Sequence, residues 1–113
     1  MEDLRTLGVA VLMLPTTRTE SGVALRAIVA AAGAVITRGG VSRVFVTGGE
    51  TAFALCRELD VSALMFRAEV EPGLTLSTAA IAGGSMLYAV KPGGFGDEDT
   101  WVRALRALRE SNL

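Results

Sequence analysis

Three glycine clusters mark the places where this chain has the means to do chemistry: Thr47-Gly48-Gly49-Glu50-Thr51, Ala82-Gly83-Gly84-Ser85 and Lys91-Pro92-Gly93-Gly94-Phe95-Gly96. Each stands at the end of a run that reads as a strand. A strand entering a helix through Gly-Gly leaves backbone N–H groups free at the helix N-terminus, with no Cβ to bar close approach; such a seat suits a phosphate. Thr51 adds a hydroxyl for the same anion. Glu50 is awkward beside bare phosphate and fits a helix-end acid, a ribose contact or a contact to metal-bound water. Lys91, the only lysine, directly precedes the last loop. There it is either a charge clamp on phosphate or an ordinary surface lysine at a strand end. Phe95, set between glycines, covers a base or pins the loop. Neither the six-spaced glycine fingerprint of dinucleotide folds nor a Gly-Lys-Ser/Thr loop is present, so a plain tight turn remains the competing account of Gly-Gly-Glu-Thr.

Other chemistries are excluded by composition. The chain has no histidine and one cysteine, Cys56. That leaves no internal disulfide, no Ser-His or Cys-His nucleophile system and no ordinary zinc site. A formal net charge of −1 and a pI near 5.4 argue against a nucleic-acid binder that relies on a basic face. The longest uninterrupted apolar stretch, Ala27 to Ile36, is about half the length of a membrane helix. Met1 to Thr6 carries Glu2, Asp3 and Arg5 and does not read as a signal peptide. The expected setting is cytoplasmic. With 113 residues, half of them apolar, the expectation is one domain with a core of its own.

The elements that must position the glycine clusters follow from periodicity. Val9 to Leu14 predicts a buried strand closed by Pro15, and Thr19 or Ser21 caps the helix after it. Across Ser21 to Arg38, Leu25, Ile28, Val29, Ala32, Val35 and Ile36 share one helical face. The opposite face, Ala27, Ala30, Ala31 and Ala34, fits either alanine's helix preference or a contact with a further domain. Val44 to Thr47 predicts a second buried strand. The helix after Gly48-Gly49 turns Ala52, Leu55, Cys56 and Leu59 inward, with Cys56 a small buried hydrophobe rather than a reactive thiol. From Leu64 the period changes to two, with Leu64, Phe66, Ala68 and Val70 alternating with Met65, Arg67 and Glu69. Glu71-Pro72-Gly73 and Gly83-Gly84 read as turns around an extended Leu74 to Ile81, and Met86 to Val90 as a last strand. Asp97, Glu98 and Asp99 open a terminal helix with Trp101, Val102, Leu105 and Leu108 inward and its arginines on a solvated face. The expected fold is single-domain α/β: a mixed sheet with a parallel βαβα start and antiparallel later strands, flanked by helices.

The ordered set Val46-Thr47-Gly48-Gly49-Glu50-Thr51, Val70-Glu71-Pro72-Gly73, Gly83-Gly84, and Lys91-Pro92-Gly93-Gly94-Phe95-Gly96 with Asp97 to Asp99 and Trp101 resembles the C-terminal nucleotide-binding domain of the four-carbon acid sugar kinases. Order and spacing match across Arg38 to Leu108. Pro92 and Gly94 stand where the family usually has Ser and Asn, which keeps the backbone loop but removes two polar side chains. The resemblance implies ATP and Mg2+ as cofactors and phosphorylation of a tetronate or 3-oxo-tetronate. It nominates Gly48, Gly49, Glu50, Thr51 and Gly93 as nucleotide contacts; Lys91 is added on charge and placement. It also implies that the sugar acid is held by an N-terminal domain not among these 113 residues, so the chain is expected to be inactive alone. The alternative is a non-catalytic α/β module that binds or self-associates, as a homo-oligomer. Neither reading involves nucleic acid or a membrane.

Overall fold

The strand that contains the fully buried run Met86–Ala89 takes an inner place in the sheet. In the computed structural model, which describes residues 21–92 and 98–111, the strands are β1 (Arg43–Thr47), β2 (Met65–Glu71), β3 (Leu74–Ile81) and β4 (Gly84–Lys91). Their order is β1-β4-β3-β2. β1 runs parallel to β4, while β4 with β3 and β3 with β2 are antiparallel. The mixed α/β sheet expected from the sequence is present, and its parallel pairing falls between β1 and β4. The strand predicted at Val9 to Leu14, the cap at Thr19 and the loop from Gly93 to Gly96 lie outside the described residues.

Because successive side chains of a strand point to opposite faces, β4 feeds two separate cores. Met86 and Tyr88 join Val46 and Ala79 against Val29 and Ile36 of α1 (Ser21–Gly39) and Ala52, Leu55 and Cys56 of α2 (Gly49–Glu58). Leu87 and Ala89 join Leu74 and Leu76 against Ala104 and Leu108 of α3 (Thr100–Glu110). The result is three layers, with α1 and α2 on one face and α3 on the other. By length and composition α1 is apolar enough over Gly22–Gly39 to cross a membrane, yet its Val29 and Ile36 are spent on the core shared with α2 and the sheet.

Polar groups tie the layers together. The Tyr88 hydroxyl, in the core, donates to the Ala52 carbonyl at 2.8 Å. Burial pushes its phenol, and the neighbouring Cys56 thiol, above their usual ranges, so both stay neutral. Arg43 of β1 donates through Nε to the Leu108 carbonyl at 2.7 Å and through Nη2 to the Ser111 carbonyl at 3.1 Å. A guanidinium thus satisfies carbonyls at the negative end of α3. At the other end of α3, Arg103 forms a two-pronged ion pair with Glu71 and also reaches Thr100.

Expectations for β2 and α3 are corrected. The two-residue period from Leu64 does not sort β2 into an inner and an outer face. Register shifts between Phe66 and Ala68 and between Glu69 and Glu71 insert bulges that break the alternation. β2 is also an edge strand, and Met65 and Phe66 are 73% and 62% exposed. Trp101 and Val102 do not face the core. α3 rests on the sheet through Thr100, Ala104 and Leu108, one residue out of phase with the predicted face, which leaves Trp101 56% exposed. Arg103 leaves the solvated face to pair with Glu71. Of the acids expected to open this helix, Asp99 is its N-cap and Glu98 stands just before it, while Asp97 lies outside the described residues.

Tyr88→Phe removes one buried hydrogen bond while keeping the ring's packing. Urea unfolding is expected to show a loss of about 1 kcal/mol with an unchanged denaturant slope.

Candidate functional site

The parallel pairing of β1 and β4 brings two of the three glycine clusters to one edge of the sheet. Thr47, the last residue of β1, is registered opposite Lys91, the last of β4. The next residue, Gly48, donates its N–H to the Lys91 carbonyl at 2.8 Å. From these adjacent ends the chain leaves in opposite directions: α2 follows β1 onto one face of the sheet, and α3 follows β4 onto the other. The contacts of Arg103 and Arg43 fix α3's polarity. Glu71 pairs with Leu74 at the Lys91 end of the sheet, and Arg43 begins β1 at the far end. Both helices therefore start at the carboxyl ends of β1 and β4. Neighbouring parallel strands whose helices depart to opposite faces leave a crevice at that edge, the usual ligand site of open α/β sheets.

At this edge α2 presents an N-terminus without a side-chain cap, the candidate phosphate seat of the sequence. Gly48 is the N-cap of α2 with φ 92° and ψ 122°, and no side chain caps it. The first hydrogen bond of the helix runs from the Ala52 N–H to the Gly48 carbonyl at 3.0 Å. The N–H groups of Gly49, Glu50 and Thr51 precede it and have no acceptor within the helix. They point out of the positive end of the helix dipole. Among the described residues, a Cβ on Gly49 would meet nothing within 4 Å. Thr51 Oγ1 lies 3.7 Å from where a Cβ on Gly48 would stand, which places its hydroxyl beside the same terminus.

Of the sequence candidates, Gly48, Gly49, Glu50, Thr51 and Lys91 come together here. The positive φ falls at Gly48 rather than Gly49. Glu50 is exposed, on the side of α2 that also carries Phe53 and Arg57, whose guanidinium carbon stands 6.0 Å from the Phe53 ring centre. Lys91 is half-buried. The Gly83-Gly84 cluster is at the opposite end of β4, in the β3–β4 hairpin, and takes no part. Gly93 and Phe95 lie outside the described residues. Among the described residues no cluster of three acidic, cysteine or histidine side chains could hold a metal ion. What the sequence did not reveal is the crevice itself, because the pairing of residues 43–47 with 87–91 is non-local.

The fold defines the protein's class, a mixed α/β domain. The family described as the nucleotide-binding C-terminal domain matches residues 12–101, and the chain belongs to it. Its relatives are sugar-acid kinases. The chain is 39% identical over 69 residues to a 3-oxo-tetronate kinase of Pseudomonas fluorescens, covering 61% of this chain and 16% of that protein. It is 44% identical over 70 residues to a D-threonate kinase of Cupriavidus necator, covering 60% of this chain and 17% of that protein. A Bordetella bronchiseptica protein containing a domain of unknown function, solved as a domain-swapped dimer with bound citrate, superposes with a TM-score of 0.81 at 28% identity. That match covers 90% of this chain and 27% of the other. The chain thus spans about a sixth of the length of the kinases it matches.

The two glycines of the seat have different duties. Gly48→Ala places a Cβ on a positive-φ backbone and is expected to cost about 1 to 3 kcal/mol in the ligand-free protein. Gly49→Ala, with open space around it, should stay within about 0.5 kcal/mol of the parent by the same urea titration.

Proposed function

We propose that this chain is the ATP-binding portion of a kinase that phosphorylates a four-carbon sugar acid, a tetronate or 3-oxo-tetronate. The observation that carries this reading is the crevice at the carboxyl ends of β1 and β4, where an uncapped helix N-terminus and the lysine before the last glycine loop share one edge. The family and the names of its relatives supply the chemistry.

In this reading the amides of Gly49, Glu50 and Thr51 bind phosphate oxygens, and the Thr51 hydroxyl donates to the same group. The Lys91 ammonium offsets the phosphates' negative charge from the neighbouring strand. Glu50 points away from the phosphates, toward ribose or solvent. Magnesium would supply neutralisation of the phosphates' charge; among the described residues no cluster of three acidic, cysteine or histidine side chains would hold it. The pocket that holds the sugar acid's acceptor hydroxyl, and the base that serves it, belong to a sugar-binding domain of the whole enzyme, which works in the cytoplasm. A second reading, self-association without catalysis, draws on the exposed apolar edge of β2 and on the dimeric Bordetella relative.

The chain alone is expected to bind ADP weakly, in the high micromolar range or above, because only part of a nucleotide's contacts are present. Thermal shift with millimolar ADP and magnesium reads this directly. Gly49→Ala should abolish the ADP-induced stabilisation while the free protein melts as before; Gly39→Ala, at the far end of α1, should keep it. An unchanged ADP response in Gly49→Ala contradicts the proposed seat. In the same preparation threonate and erythronate should not be phosphorylated. Robust turnover would mean that the acceptor site has been assigned to the wrong domain.

A further inference from the structure

Trp101 is the largest side chain that the fold leaves without a structural duty. It is 56% exposed in the first turn of α3, beside the less exposed Val102, on a helix whose Leu105 and Leu108 are packed against the sheet. Its place follows from three contacts. Arg103 reaches Glu71 at the β2 side of the sheet, and Ala104 closes onto the sheet surface. Helical residues advance by about 100° each, so Trp101, two positions before Arg103, projects from nearly the opposite flank. That flank is the one on which Leu105, one turn further along, packs in the same cluster as Phe45 of β1. The first turn of α3 also lies at the Lys91 end of the sheet, because Arg103 of that turn holds Glu71 there. Trp101 therefore flanks the β1–β4 crevice on the face opposite α2.

We propose that the Trp101 indole is the stacking wall for the nucleotide base, with the phosphates seated across the sheet edge at Gly49, Glu50 and Thr51. This rests on the nucleotide reading above and adds the residue that distinguishes a nucleotide from a bare phosphate chain. An indole offers a flat, weakly sequence-selective surface to a purine, and aromatic stacking of this kind contributes enough to set affinity in a shallow site. The arrangement also divides the work chemically: backbone amides on the α2 side, and the indole on the α3 side, the face that alternation along β4 gives to Lys91 together with Leu87 and Ala89.

The test exploits Trp101 being the only tryptophan in the chain. The 113-residue chain is titrated with ADP and, separately, with inorganic pyrophosphate, following tryptophan fluorescence and, for affinity, calorimetry. ADP is expected to quench and shift the emission, whereas pyrophosphate binds with little spectral change. Trp101→Leu should weaken ADP about tenfold and leave pyrophosphate affinity unchanged; Trp101→Phe should recover most of the loss. Equal ADP affinity in the parent and in Trp101→Leu overturns the stacking role while leaving the phosphate seat in place. An equal loss of ADP and pyrophosphate affinity in Trp101→Leu also overturns it, since the residue would then support the seat rather than the base. Failure of the parent to bind either ligand overturns the nucleotide reading and this inference with it.

Discussion

The structure depends on the parallel pairing of β1 with β4 and its closure by the hydrogen bond from the Gly48 N–H to the Lys91 carbonyl. These strands are separated in sequence by a helix and a hairpin, and no local preference brings them together. Burial does. Met86, Leu87, Tyr88 and Ala89 are fully buried in the middle of the sheet, and each large apolar side chain so removed from water contributes about 1.5 to 3 kcal/mol. Once β4 is central, β1 is its only parallel neighbour among the described strands, and the ends of both strands face one crevice. The chemistry at that edge is thus a consequence of the core.

Contacts on either side of the sheet hold α2 and α3 against it. On one face the Tyr88 hydroxyl binds the Ala52 carbonyl in the first turns of α2, so the central strand positions the helix whose N-terminus forms the seat. On the other face, Arg43 and Arg103 pin the two ends of α3 to β1 and to Glu71. An exposed ion pair alone would be worth little. Here the Arg103 pair is part-buried and bonded through both nitrogens, and it fixes the rotation of α3 on the sheet. That rotation sends Ala104 inward and leaves Trp101 at the rim.

Much of this was legible in the sequence because local chemistry and periodicity agree. The glycine pairs mark strand ends, Ala52, Leu55 and Cys56 mark the inner face of α2, and Gly48-Gly49-Glu50-Thr51 marks the helix start beside the crevice. The failures have one cause, dependence on non-local neighbours. A two-residue period at Leu64 to Val70 specifies faces only when the partner strand keeps register, and the bulges against β3 break it. Trp101, Leu105 and Leu108 have helical spacing, but so do Thr100, Ala104 and Leu108. The choice between them is made by the sheet surface and by Glu71, which no pattern within the helix reveals.

Amide chemical shifts followed during an ADP titration of the isotopically labelled chain test the central claim most directly. The account predicts that the largest perturbations fall on Gly49, Glu50 and Thr51, with Lys91 responding across the sheet edge. Perturbations centred on the Gly83-Gly84 hairpin or on β2, with the amides of Gly49 to Thr51 unmoved, would contradict it.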